Sequence, residues 1–211
     1  MHDENILVEK YINQIKVDPE NTKKLFAIGF IATTGVGKST TSQKIAERLG
    51  LFVASNDEIR RFLNKEGIPG IFPDQELVQR IAEESSRYLY DNKISHVIDA
   101  DLIKFHATAK KNAEEHGAKF FLLHLVCPED VIMKHLNERD KKISELSGSS
   151  DDKGMKNVGH SLSSVKEYEE RTKVHKETPL PDYIFMRIDT SLPMEPQLDE
   201  LEGKLIDQGV C

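Results

Sequence analysis

Apolar and polar positions along this chain follow two alternating rhythms. Residues 25–31 (LFAIGFI), 51–54 (LFVA), 94–98 (ISHVI), 120–126 (FFLLHLV) and 183–188 (YIFMRI) are short apolar-rich runs, of the kind that form strands covered on both faces. Between them, apolar residues recur at helical intervals. The spacing predicts helices over 5–16, from about 38 to 49, over 56–65, from Pro73 through Leu89, and over 102–116, 128–139, 165–176 and 198–206. Gly50 and Gly117 stand where helices stop, and Pro73 and Pro128 where they start. Residues 147–163 (SGSSDDKGMKNVGHSLS) are polar and rich in Gly and Ser, which predicts a mobile stretch. Strands alternating with helices imply an α/β fold, a three-layer αβα sandwich around a parallel sheet.

The first apolar run leads into Thr33-Thr34-Gly35-Val36-Gly37-Lys38-Ser39-Thr40 and then into a helix. Strand, glycine-containing turn and helix form the context that a phosphate-binding loop requires. Gly35 and Gly37 let backbone N–H groups curl around an anion, and the helix beginning near Lys38 turns its positive end toward it. Residues 34 to 40 (Thr34, Gly35, Val36, Gly37, Lys38, Ser39, Thr40) are therefore the expected nucleotide cradle. Lys38 is expected to reach the β- and γ-phosphates, and Ser39 to bind Mg²⁺. Ala32 stands where the motif usually has its first glycine. It ends the strand, outside the tightest curve, so the change is expected to be tolerated.

Composition narrows the classes. A chain of 211 residues with 38% hydrophobic content suits one α/β domain with a full core. Its net charge of −7 argues against broad nucleic-acid affinity. No stretch approaches the roughly 18 apolar residues of a membrane span, and the acidic start MHDENILVEKY does not read as a signal peptide. The two cysteines, Cys127 and Cys211, lie far apart, as expected of reduced thiols in a cytoplasmic protein. The eight histidines show no ligand spacing, so zinc is not expected.

Other phosphate-loop classes fit less well. Asp151-Asp152-Lys153-Gly154 matches a GTPase DxxG but follows no strand, and no NKxD accompanies it. Leu146-Ser147-Gly148 falls after the expected metal-site strand, the reverse of the order in transporter ATPases. Asp99 precedes Ala100 rather than a glutamate, unlike ATPases that activate water at that position.

Four further stretches carry a resemblance. They are Ser55-Asn56-Asp57-Glu58-Ile59-Arg60, Val97-Ile98-Asp99-Ala100-Asp101, Leu125-Val126-Cys127-Pro128 leading to Leu136-Asn137-Glu138-Arg139, and Ile188-Asp189-Thr190-Ser191. In order and spacing they resemble the small-kinase branch of phosphate-loop proteins. That branch includes polynucleotide 5′-hydroxyl kinases, zeta toxins, chloramphenicol phosphotransferase and gluconate kinase. The resemblance spans about residues 25 to 192. It implies a five-stranded sheet of order 2-3-1-4-5 in a single kinase domain over 1–211, with residues 1–18 an added N-terminal helix and 139–176 a mobile lid.

It also implies roles. Asp57, at the carboxyl end of the second strand, would hold the acceptor hydroxyl or take its proton; the alternative is an ordinary acid in a helix's first turn. Arg60, one turn on, would bind the acceptor, or else be a solvated surface residue. Asp99 would hold Mg²⁺ through water. Asp101 would share the acceptor site or cap a helix. Arg139, opening the lid, would neutralise transferring phosphate charge, with Arg171 a lesser candidate. Thr190 would lie near the adenine. The expected activity is transfer of the γ-phosphate of ATP, with Mg²⁺, to a hydroxyl of a small molecule. A polynucleotide 5′-hydroxyl kinase and a non-catalytic nucleotide-binding regulator are the alternatives.

Overall fold

The computed structural model describes residues 4–16, 24–68, 75–147 and 164–210. Its elements are α1 (Glu4–Ile12), β1 (Phe26–Ile31), α2 (Lys38–Leu49), β2 (Phe52–Ser55), α3 (Asn56–Lys65), α4 (Gln75–Asp91), β3 (His96–Asp101), α5 (His106–Glu115), β4 (Lys119–Val126), α6 (Glu129–Ser147), α7 (Ser164–Glu177), β5 (Ile184–Asp189) and α8 (Met194–Asp207). The five strands form one sheet of order β2-β3-β1-β4-β5, and every pairing is parallel. The expected order is the observed one.

β1 is the central strand, and all six of its residues are buried. Its side chains alternate between two cores, as the period of a strand requires. Phe26, Ile28 and Phe30 join Phe121, Leu123 and Leu125 of β4, Ile45 of α2, and Leu198, Leu201 and Leu205 of α8. Ala27 and Ile31 face the other side, where α5 and α7 cover the sheet. A third core lies off the sheet. There α1 presents Leu7 and Val8 to Ile59, Phe62 and Leu63 of α3 and to Leu77, Val78 and Ile81 of α4. The N-terminal helix α1 thus braces α3 and α4.

Several boundaries differ from expectation: α1 ends at Ile12 rather than at residue 16, α8 starts at Met194 rather than at residue 198, and three others bear on the site. β3 runs on to Asp101, so Asp99 lies within the strand rather than at its end. The next helix starts at His106 rather than at residue 102. Leu102 and Ile103 are buried, but in a turn: Leu102 N–H donates to Phe30 O at 2.8 Å, and Phe105 N–H donates back to Leu102 O at 2.9 Å. Their apolar character serves to plug the end of the sheet, a demand that mimics the first turn of an amphipathic helix. Finally, α6 continues past Arg139 to Ser147. The expected mobile stretch 147–163 falls, from 148 onward, outside the described residues.

Gly29 sits where β1 is most closely covered. A Cβ there would lie 2.5 Å from Leu102 Cδ1 and 2.9 Å from Phe120 Cζ. Gly29→Val should therefore destabilise the fold by about 1–3 kcal/mol through overpacking. Chemical denaturation at equilibrium measures this, and a stability equal to that of the parent protein would count against the close approach.

Candidate active site

The loop between β1 and α2 owes its shape to two glycines. Gly35 and Gly37 take φ of 82° and 90°, left-handed values that a side chain disfavours. Gly35 has a second reason to be glycine. A Cβ would meet Leu136 Cδ2 at 2.8 Å and Ile132 Cγ2 at 3.0 Å, so α6 rests directly on the loop. Gly37 then caps α2 without any side-chain cap, leaving the helix's first N–H groups open to an anion. Val36 is buried under the loop, and its carbonyl accepts the Thr190 hydroxyl at 2.6 Å. Thr190 N–H is bound in turn to Val126 O at 2.9 Å. Thr190 therefore braces the loop from below.

Beneath Lys38 lies Asp99, whose carboxylate is only 6% exposed. Lys38 Nζ forms a short ion pair with Asp99 Oδ1. Three hydroxyls converge on the same carboxylate. Ser39 Oγ lies 3.4 Å and Ser42 Oγ 3.2 Å from Oδ1, and Ser55 Oγ lies 3.4 Å from Oδ2. A hydroxyl and a carboxylate oxygen side by side are hard oxygen donors suited to Mg²⁺, which keeps several waters and takes few protein ligands. Among the described residues, no group of three or more His, Cys, Asp or Glu is arranged to hold a metal. The donor set thus fits a cation shared with phosphate and does not form an all-protein cage.

The sequence does not single out Ser42, and it marks Ser55 only as the start of a motif and a helix cap, yet both had a signal. Ser42 follows Ser39 at a spacing that places them on one helix face. Ser55 is where an N-cap belongs, but it makes no side-chain cap, because its hydroxyl is spent on Asp99.

Asp57 lies in the first turn of α3, with its side chain 63% exposed, and accepts from Arg60 Nη1 at 2.8 Å. Both residues border the large cavity that also holds the phosphate loop and Asp99. Asp101 does not cap α5, whose N-cap is Phe105. Its Oδ1 accepts from the N–H groups of Ala32 at 3.3 Å and Ile103 at 3.2 Å. Its Oδ2 meets His175 Nε2 of α7 at 2.8 Å. The carboxylate therefore ties α7 to the entrance of the phosphate loop. His175, which no sequence pattern marks, also faces His124 of β4. Burial depresses the pKa of His124, with nearby Arg187 and His175 adding to the effect.

Arg139 points from α6 to Glu167 of α7, Nη2 to Oε2 at 3.6 Å, and Arg171 Nε lies 3.0 Å from Glu167 Oε1. All three border the cavity, and α6 and α7 share an apolar seam of Ile132, Leu136 and Tyr168. The cavity measures about 1730 Å³, above the ~300–1,000 Å³ of a single small-ligand pocket. Its second arm runs between α3 and α4 to α5, past Ser86, Tyr90 and Asn112. The structure thus brings Lys38, Ser39, Asp57, Arg60, Asp99, Asp101, Arg139 and Thr190 around one cavity.

Residues 30–157 match the model of a family described as an AAA domain. No curated protein matches the chain in sequence. Several solved structures share its fold. An APS kinase from Mycobacterium tuberculosis, in complex with AMPPNP and APS, is 16% identical with a TM-score of 0.55, over 86% of this chain and 98% of that one. A gluconokinase from Sinorhizobium meliloti 1021 is 19% identical with a TM-score of 0.51, over 87% and 93%. A structure from the PezAT chromosomal toxin–antitoxin system of Streptococcus pneumoniae is 11% identical with a TM-score of 0.57, over 97% and 94%. At these identities the likeness is one of fold, that of the P-loop kinases. The family match covers more than half of the 211 residues, and the chain belongs to the AAA domain family, in its P-loop kinase-like form.

Proposed function

We propose that this protein is an ATP- and Mg²⁺-dependent phosphotransferase of the cytoplasm that phosphorylates a hydroxyl of a small molecule. The observation that carries this reading is the shared cavity. It joins a glycine-shaped phosphate loop to a second arm, with the Asp57 carboxylate at its border. Its volume suits a nucleotide and an acceptor together.

Each group then has a task. Lys38 leaves Asp99 for the β- and γ-phosphates, while Ser39 and Asp99 would hold Mg²⁺. When bound, Mg²⁺ neutralises charge on the phosphate oxygens. The acceptor oxygen bonds to the γ-phosphorus as the bond to the β-phosphate oxygen breaks, and Asp57 takes the acceptor's proton. Arg60 holds Asp57 in place at 2.8 Å. Arg139 and Arg171, released from Glu167, meet the transferring group.

A polynucleotide acceptor is less well supported. Arg60, Arg61 and Arg87 border the cavity, but each is paired with an acid three residues earlier, namely Asp57, Glu58 and Glu84. Neutralised arginines make a poor trench for a phosphate backbone.

Three outcomes test the reading. Lys38→Ala should keep its circular dichroism spectrum yet lose ATP-dependent phosphate transfer; undiminished turnover would mean that the loop is not the nucleotide site. Chelating divalent cations with EDTA should abolish transfer by the parent protein, and added Mg²⁺ should restore it. Asp57→Asn should lower transfer by roughly 10²–10⁴-fold, the usual contribution of a positioned base, with little change in nucleotide affinity. The assay is radiolabel transfer from γ-phosphate to a panel of metabolites and 5′-hydroxyl oligonucleotides. Equal rates in the two proteins would remove Asp57 from the chemistry, and labelling of the oligonucleotides alone would favour the polynucleotide acceptor.

A further inference from the structure

The part of the cavity lined by α4 and α5 holds polar side chains that the transfer chemistry leaves unused. Tyr90, near the end of α4, is 0% exposed, and its ring packs against His96 at 4.8 Å and His116 at 5.5 Å between centroids. The ring is therefore well seated. Its hydroxyl is not: Tyr90 Oη is buried with no hydrogen-bond partner among the described residues. Asn112 Oδ1, on facing α5, is buried and unpartnered in the same way. Both residues line the cavity, as does Ser86, one turn before Tyr90 on α4. Buried polar groups without partners are rare, and each costs about 1–3 kcal/mol. Two at one end of one cavity call for a ligand group that completes both.

The chemistry of that group follows from what surrounds it. Burial pushes the Tyr90 phenol up in pKa, so it remains a donor, whereas Asn112 Oδ1 is an acceptor. An alcohol hydroxyl accepts from one and donates to the other. A carboxylate or phosphate has no proton for Asn112. It would also lie in a cavity lined by Glu83, about two turns before Tyr90 on α4, whose carboxylate is bonded by the Gln79 amide at 3.1 Å and has no cationic partner among the described residues. Burying an unpaired charge there would be costly.

We propose that Tyr90 and Asn112, with Ser86 beside them, seat an uncharged hydroxyl at the far end of the acceptor, so that the acceptor is a neutral polyhydroxylated compound. This rests on reading the cavity's second arm as the acceptor site. One hydroxyl is seated between α4 and α5, and another on the same molecule is presented to Asp57. Tyr90 and Asn112 are specificity residues that choose the acceptor and take no part in proton transfer.

Binding and transfer separate this proposal from the kinase reading. Isothermal titration of the full chain with glycerol, erythritol, xylitol, sorbitol and myo-inositol, beside gluconate and glycerol 3-phosphate, should find an uncharged polyol that binds. Its affinity should fall at least tenfold in Tyr90→Phe and in Asn112→Ala, while ADP affinity stays unchanged. Tyr90→Phe keeps the ring stack and removes an unpaired hydroxyl, so its melting temperature should be equal or higher. Three results would overturn the seat: no neutral polyol binds, the anionic probes bind better, or the polyol binds Tyr90→Phe as well as the parent. A melting temperature lowered in Tyr90→Phe would also overturn it, by marking a trapped structural water in the ligand's place. A polyol that needs Tyr90 to bind but gains no γ-phosphate would leave the seat standing and refute the kinase reading instead.

Discussion

The arrangement of the site depends on one buried carboxylate. Removing Asp99 from water costs several kcal/mol unless partners compensate, and here four side chains do so, from two helical turns of α2 and the end of β2. That requirement registers β2 and β3 against the start of α2, and hence sets where the loop's N–H groups point. It also accounts for the resting place of Lys38. On the proposed reading, that ammonium exchanges its carboxylate partner for phosphate, while the three hydroxyls stay behind so that Asp99 is never left bare. The site therefore needs little rearrangement of its floor to receive a nucleotide.

The rest of the loop is held by bonds from elements far away in sequence. Thr190 reaches it from beyond β5, Leu136 leans on it from α6, and His175 grips its entrance through Asp101. Of these three, His175 falls within the expected lid region 139–176, and Leu136 lies one turn before it on α6. α6 and α7 are thus coupled to the loop by packing and by a hydrogen bond, and any change in their position is felt at the loop. Arg139 and Arg171, sharing Glu167, sit where such a shift would redirect them.

How much of this was legible follows from the range of each interaction. The phosphate loop, the five strands and their order could be read because local pattern and motif order determine them. The turn at Leu102 and Ile103 was mistaken for helix because burial at a sheet end and burial on a helix face select the same residue types. The extension of α6 beyond Arg139 was missed because the residues that follow are mostly polar, with only Ile143 and Leu146 to continue the helical spacing before the Gly- and Ser-rich stretch. Tyr90, Asn112 and His175 were invisible for a different reason. Their meaning lies in contacts between elements that only the fold brings together, and nothing in their own neighbourhoods singles them out. Asp101 was noticed but given a different partner, since its bond to His175 spans 74 residues.

The arginines along α3 and α4 have one more consequence. Arg60, Arg61 and Arg87 each carry an acid three residues upstream, so these arginines of the cavity wall are self-neutralised, on a chain whose overall charge is negative. Such a wall projects little field into solution, and long-range attraction is what gives charged ligands their salt-sensitive encounter rates. These three pairs therefore add little to the salt-sensitive part of any ligand's approach. Discrimination among candidates then falls to the short-range fit inside, after entry, through how quickly each one leaves.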